Sequence, residues 1–450
     1  MPNLSIVAVL VLAAANLISG AVGSLSVQAP LTMLTFLACM HRVGNATKNS
    51  FNPAMLLGAT TTLFLLSRFL ITYFFGWADY RYGDWFLMGP MEDTLVAKAL
   101  SAVCLFLAGI AIVAGRLGDV PTREDGYLGT IALRAGLAIL PFTLYRLYVN
   151  IDTWRTGDYL AMYKYGGPSG IPYAIGGWLI FCVFAYLASR PRLRPALAGY
   201  AVGILLCALD MFKGARGIPM AQIIGLTWLL VSTQPIRVSW WKAGGAVLGL
   251  AILADVVGRL RIGMPIATVL SADPFETLFG FFYGQGVSLI FVVSTLKHLA
   301  AFTSLADGLQ STFAIFVDGY HRMTGDLPAG QTIEFAHRTA SLAHRVSFIV
   351  DAEMYLSGKG MGGSAVAEGL LYSPLFGPLA AGLFTGGMLR LLYRFAQAAP
   401  LGLFVFAATL PFFLLVPREN QLFFLVPLCK ALLFAGIVYA ISRIHVRQPA

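Results

Sequence analysis

Apolar residues along this chain come in runs near twenty long, with neither the 3.6-residue nor the two-residue period of an amphipathic element, and clusters of Arg, Lys, Asp, Gly and Pro separate the runs. Each is about the length a helix needs to cross a ~30 Å hydrocarbon core, so hydrophobic length, not periodicity, assigns them as spans. They fall at about 4–22, 25–40, 52–76, 94–115, 127–151, 171–188, 195–212, 217–233, 243–258, 365–389, 399–416 and 422–440. Twelve crossings put both termini on one side. The first run ends in small residues, as a secretory leader does, but no basic segment precedes it. It reads as an uncleaved first span.

Composition strengthens this picture: 450 residues, 58% hydrophobic and only 12% charged, with a mean hydropathy of +0.76, lie far outside the soluble range. The fold class expected is an all-α polytopic membrane protein. A net charge of +10 would suggest nucleic acid in a soluble chain, but here it follows from the excess of Lys and Arg in cytoplasmic loops. No nucleic-acid partner is expected. One set of loops (41–48, 116–125, 190–195, 237–242, 390–394 and 443–447) carries thirteen Lys or Arg against three acids, and the opposite short loops (77–93, 152–170, 213–216 and 417–421) carry six against seven. This asymmetry puts both termini in the cytoplasm. The five cysteines are scattered through apolar runs without C-x-x-C spacing and read as packing residues.

A long external segment is the consequence. The chain divides into an N-terminal membrane bundle of about nine spans (1–258), an external, partly helical segment (259–363) and a C-terminal bundle of about three spans (364–450). Residues 275–301 are long and apolar enough to cross once, yet a single crossing would invert the charge pattern that follows. A re-entrant, interfacial or protein-covered pair of segments is expected there.

Ionisable residues within or at the ends of spans are Arg68, Arg134, Arg146, Asp210, Asp255 and Lys430. Each costs roughly 2.5 to 3.5 kcal/mol at a helix centre, so such residues face a protein interior or a wet cavity. Arg146, one turn before Asn150, is the one expected to reach a site. The outer face collects more: Lys213 and Arg216 in KGARG, Arg259 and Arg261 in RLRIG, then Arg322, His337, Arg338, His344, Arg345 and Lys359, and Arg418 with Glu419 in VPREN. Several guanidinium groups at the mouth of a membrane cavity suit a phosphate ligand, whose oxygens the Arg fork meets bidentately. A lipid diphosphate would enter at this depth; isolated headgroup contacts are the simpler alternative for any single Arg.

Metal chemistry has little to anchor it. The six histidines form no H-x-x-x-H or H-E-x-x-H pair, and no D-x-D or G-x-S-x-G motif occurs at a fitting place. No metal and no cofactor are expected. Residues 358–368, GKGMGGSAVAE, contain a literal G-x-G-x-x-G, but no strand or βαβ unit precedes it, so a dinucleotide site is rejected. The expected role is a turn whose free N–H groups, with Lys359, attract an anion at a helix start capped by Ser364. Glu368, one turn in, is then a general base, an Arg partner or a helix-start acid, and Tyr372 follows on the same face.

The segment AHRTASLAHRVSFIVDAEMYLSGKGMGGSAVAEGLLYSPLFGPLAAGLFTGGMLRLLYRF resembles the C-terminal half of Wzy-type O-antigen polysaccharide polymerases. FFYGQGVSLIFVV is similar to that family's Q-G-x-S element, here Gln285, Gly286 and Ser288, and KGARG resembles a further landmark. The spacing departs from one described pattern, Arg followed after ten residues by Gly, because eight separate Arg216 from Gly225. The resemblance implies a metal-independent, GT-C-like glycosyltransferase of the bacterial inner membrane with its site facing the periplasm. It would move a glycan en bloc from undecaprenyl diphosphate to the non-reducing end of a new lipid-linked repeat unit. Membrane lipids, a chain-length regulator and a flippase of the same pathway are the implied partners.

For that chemistry Glu368 and then His344 are the candidate bases, with Arg216 and Arg261 stabilising the leaving diphosphate. Lys213, Arg259, Gln285, Ser288, Arg338, Arg345, Lys359, Ser364, Tyr372 and Arg418 are the candidate substrate-binding residues. An O-antigen ligase using the same donor is the alternative within the class, and a lipid-linked oligosaccharide flippase the alternative outside it. A flippase predicts inverted repeats, and none is apparent.

Overall fold

The computed structural model describes residues 2–44, 52–76, 91–115, 117–118, 120, 124–155, 164, 170–211, 216–236, 239–261, 264–265, 267–268, 271, 273–302 and 305–446. Among them every regular element is helical and no strand occurs. The chain begins with α1 (Pro2–Val22) and α2 (Leu25–Gly44), then α3 (Pro53–Thr61) and α4 (Ser67–Phe75) joined through one π-helical turn, Thr62–Leu66, and then α5 (Asp93–Ala114). Next come α6 (Gly126–Arg155), α7 (Ile171–Gly176), α8 (Leu179–Ala188), α9 (Leu193–Asp210), α10 (Gly217–Thr233) and α11 (Trp240–Arg261).

Seven helical segments among the described residues are long and apolar enough to cross a membrane: Leu4–Val22, Pro53–Phe75, Asp93–Ala114, Gly126–Thr153, Ile171–Ala188, Leu193–Asp210 and Pro274–Lys297. Gly217–Thr233, Pro400–Leu415 and Leu425–Ile441 are shorter apolar helices. The chain is therefore a polytopic, all-helical membrane protein. The runs at 25–40 and 243–258 are also helical, as parts of α2 and α11.

One correction to the expected spans has a physical cause. The run at 365–389 is not one helix but α19 and α20, whose bounds are given below; Ser373 is extended (φ −163°, ψ 122°) because Pro374 disfavours helical backbone in the residue before it. The run at 275–301 is broken at Gly286. Its halves are α12 (Pro274–Gln285) and α13 (Ser288–Lys297), and a Cβ on Gly286 would collide with the backbone of Arg68. Every residue of α13 from Ser288 to Thr295 is buried, and the helix packs on α5. α12 by contrast buries only Thr277 and Phe281, and the two helices are long enough in sum to cross.

Downstream the chain folds into α14 (Leu305–Thr312), α15 (Ala314–Thr324), α16 (Ile333–Arg338), α17 (Leu342–Val350) and α18 (Ala352–Leu356). The chain closes with α19 (Ala365–Tyr372), α20 (Gly377–Ala398), α21 (Pro400–Leu415) and α22 (Leu425–Val446). The core is centred on α5, which α1, α2, α13 and α20 surround. Apolar burial against neighbours gains little over burial in lipid, so packing and internal polar bonds must hold such helices together. Asn16 supplies one such bond set, donating to Thr35 Oγ1 (2.6 Å) and accepting from Gln28 (2.6 Å) and, through its carbonyl, from Ser101 (2.8 Å).

Close packing supplies the rest. Gly109 of α5 and Gly382 and Gly386 of α20 bring the two backbones together, so that a Cβ on Gly382 would overlap the Phe106 carbonyl. Gly382→Val is expected to destabilise the protein by about 3 kcal/mol or more, read as a lower melting temperature in detergent, whereas Gly436→Ala, where nothing lies within 4 Å, should leave it within about 0.5 kcal/mol.

Candidate functional site at the outer ends of the helices

The candidate residues fall into three groups. The first is built on the short loop between α21 and α22. Arg418 donates to Gln285 Oε1 at the end of α12 (2.9 Å), and its guanidinium lies 5.6 Å from the centroid of Phe64. Phe64 packs with Ala221 and Leu415, with Leu63, Ile218 and Phe423 around them. Gln285 and Arg418 are 133 positions apart in sequence, and their bond ties the α12–α13 pair to this loop.

The glycine-rich stretch joins the same loop. Gly363 donates to the Arg418 carbonyl (3.1 Å) and Ala365 to the Val416 carbonyl (3.2 Å). Gly358 and Gly362 take left-handed backbone, φ 96° and 79°, which explains two of the glycines without any ligand. The N–H groups of Gly358, Lys359, Met361, Gly363 and Ala365 all have protein acceptors. The loop at 416–418 and Ser347 thus take three of the donors expected to meet an anion. Lys359 places its Nζ 3.8 Å from Met354 Sδ.

Ser364 caps α19 as expected, accepting from the Val366 N–H (3.2 Å). Glu368 in that helix is 2% exposed. Its carboxylate accepts from Ser311 Oγ (3.1 Å) and from the backbone N–H of Gln421 (2.8 Å). Among the described residues it has no ion-pair partner. It braces α14, α19 and the 416–421 loop against one another. α14 repeats this bracing along its length: Asp307 pairs with Arg345 (3.0 Å), Thr312 accepts from the Tyr372 hydroxyl, and Gly308 lies under the Tyr372 ring.

The second group sits where α10 and α11 emerge. Arg216, just before α10, donates to the Ala254 carbonyl of α11 and fills the space over Gly258. Arg259 pairs with Asp255 (2.6 Å) and reaches Thr277 Oγ1 of α12 (3.5 Å). Ala254 packs with Ala251 and Phe281, and Leu63 lies against this cluster as well as against that of Phe64. Leu63 thus links the cluster under Arg418 to the cluster of Ala254 on α11, the helix that carries Arg259 and gives Arg216 its acceptor. Lys213 and the side chain of Arg261 lie outside the described residues.

The third group lies on the helices α13 to α18. His344 is held between Phe335 and Tyr355, with Nδ1 3.1 Å from the Tyr355 hydroxyl. Burial pushes its pKa down from 6.5 to about 4, against the pull of Asp318 and with a smaller push from Arg322. Arg338 is 57% exposed and paired with Glu334 on its own helix. Ser288 is fully buried, and its hydroxyl has no hydrogen-bond partner among the described residues. Sequence reasoning passed over Ser311, Gln421 and Asp307, whose one advance signal is the four-residue spacing of Asp307 and Ser311 on one helix face. It also left Glu419 unused, a carboxyl that burial raises to about 7 against the pull of Arg418. No three His, Cys, Asp or Glu side chains converge among the described residues.

The His344 shift gives a pH prediction. A depressed folded pKa means that between about pH 6.5 and 4 the unfolded chain binds a proton the folded one refuses, so stability is full above 6.5 and falls as pH drops through 4. The loss is on the order of 3 kcal/mol. Melting temperatures recorded from pH 7.5 to 4 should fall less steeply for His344→Gln than for the unsubstituted protein.

Comparison with curated proteins gives no match, and neither does comparison with solved structures. The family model for O-antigen polysaccharide polymerase Wzy, however, matches residues 3–448. That span takes in the arginines around Leu63 and Phe64, the Gln285–Arg418 bridge and the Glu368 brace alike, and the chain belongs to the Wzy family of O-antigen polysaccharide polymerases.

Proposed function

We propose that this protein is a membrane glycosyltransferase that elongates surface polysaccharide, joining a glycan carried on undecaprenyl diphosphate to a newly delivered lipid-linked repeat unit. The reading places both termini in the cytoplasm of a bacterium and the site at the periplasmic face of the inner membrane. The observation that carries it is that Leu63 packs against both the cluster under Arg418 and the cluster of α11, the helix that carries Arg259 and supplies the acceptor of Arg216. A hydroxyl oxygen of the acceptor sugar attacks the anomeric carbon of the donor. The bond from that carbon to the diphosphate breaks, the diphosphate leaves with the electron pair, and the hydroxyl proton passes to a base.

Developing charge on the diphosphate is what the arginines answer, since fixed donors in a low-dielectric site need no reorganisation as charge appears. Glu419, next to Arg418 and raised toward neutrality, suits the proton better than Glu368, whose oxygens are already occupied. The test is purified protein incubated with undecaprenyl-diphosphate repeat units in the presence of a chelator. A ladder of longer lipid-linked products is expected. Transfer only to lipid A core would make the enzyme a ligase, and no transfer to either acceptor would overturn the proposal.

A further inference from the structure

A cavity of about 540 Å³ is lined in part by Ile218 and Phe423, which also pack with the Phe64 cluster, and no step of the proposed reaction uses it. Its walls are largely apolar, with Leu147, Ile180 and Phe181 among them, and Ile315 of the external segment also contributes. Three charged groups also face it: Arg146, Asp210 and Lys430, two cations against one carboxylate. All three lie at the ends of α6, α9 and α22 that the charge pattern assigns to the outer side.

Their arrangement is organised. Arg146 Nη2 meets Asp210 Oδ1 at 3.3 Å, Asn150 donates to the same oxygen at 3.0 Å, and the Tyr173 hydroxyl donates to Asn150 at 2.8 Å. Tyr173 also lays its ring 4.7 Å from the guanidinium carbon. Arg146 is thus fixed in position, yet Asp210 is its one hydrogen-bond acceptor among the described residues, so further N–H groups of a five-donor fork are left for another acceptor. Lys430 adds a second cation on the cavity wall with no acceptor of its own among the described residues. A neutral ligand would leave this excess positive charge unanswered beside a largely apolar wall.

We propose that this cavity is a binding site for the head of a phosphate-bearing lipid, with Arg146 and Lys430 meeting the phosphate oxygens and the apolar wall meeting the first part of the tail. The chemistry is common to a polyprenyl phosphate and to an anionic glycerophospholipid. The site stands whatever reaction the arginines at 216, 259 and 418 perform.

Native mass spectrometry of the purified full-length protein, titrated with undecaprenyl phosphate, phosphatidylglycerol, undecaprenol and dioleoylglycerol, tests it. The unsubstituted protein should retain one phosphate-bearing lipid in preference to both phosphate-free ones. Lys430→Gln, which breaks none of the bonds that hold Arg146, should weaken retention about tenfold, the worth of one charge-assisted hydrogen bond. Arg146→Gln should weaken it at least as much where size-exclusion chromatography shows the variant folded. Retention of undecaprenyl phosphate alone identifies a polyprenyl site, and retention of phosphatidylglycerol as well identifies a general phospholipid site. Equal retention of undecaprenol, or unchanged retention by Lys430→Gln, overturns the proposal.

Discussion

Arg216→Ala is expected to lower the rate of chain elongation by about a hundredfold or more while the protein stays inserted and monodisperse in detergent. The magnitude is that of losing one preorganised donor to a developing anion, roughly 10² to 10³ in rate. Arg216 is aimed by its own packing: Gly258 leaves room for the guanidinium, and the Ala254 carbonyl accepts from it. Arg216→Lys keeps the charge but not the planar fork, and should recover only part of the rate. Gly258→Ala approaches the same group from the other side, since its Cβ would occupy the guanidinium's space. It should displace Arg216 and reproduce much of the loss without touching a charge. Full-length polymer from Arg216→Ala, assayed on the lipid-linked repeat unit, would remove Arg216 from the site.

How much of this could be read from sequence depends on whether the cause is local. Runs of apolar residues near twenty long needed no tertiary information, and each proved helical. The Ser364 cap was equally legible, because a cap is decided within a few residues. The break after Tyr372 had its signal in Ser373-Pro374, but hydrophobic length overrode it, since proline does occur within membrane helices, as Pro141 does in α6. The glycine-rich stretch was less legible for a different reason. Its composition announced available N–H groups, whereas the carbonyls that take two of them belong to Val416 and Arg418, more than fifty residues later.

The site shows the same division. Positive charge at emerging helix ends could be listed from sequence, but which arginines share one place is set by Leu63, a residue with no chemistry that packs against both clusters. The bond between Gln285 and Arg418 joins two residues that sequence had named separately. Ser311 and Gln421 are ordinary polar residues with no motif, visible only once α14 and the loop at 416–421 meet Glu368.

Glu368 is where the structure changes the expectation most, and two substitutions separate its possible roles. Glu368→Ala is expected to destabilise the protein by about 3 to 5 kcal/mol, because it leaves the Ser311 hydroxyl and the Gln421 N–H buried without partners, at about 1 to 3 kcal/mol each, and adds a void. Residues 416–421 would keep the bonds of Gly363 and Ala365 but lose their tie at Gln421, so elongation should fall with stability. Glu368→Gln behaves differently. Its amide oxygen can still accept from Gln421 N–H, and its amide nitrogen can donate to Ser311 Oγ, a hydroxyl able to accept as well as donate. A brace therefore survives the change, whereas a general base does not. Melting temperature near that of the unsubstituted protein and elongation within about tenfold of it are expected for Glu368→Gln, on the reading that its loss costs no charge-dependent step. A variant that melts normally yet makes no polymer would return Glu368 to the proton-transfer role, and would require Ser311 or the 416–421 loop to move aside before the acceptor hydroxyl arrives.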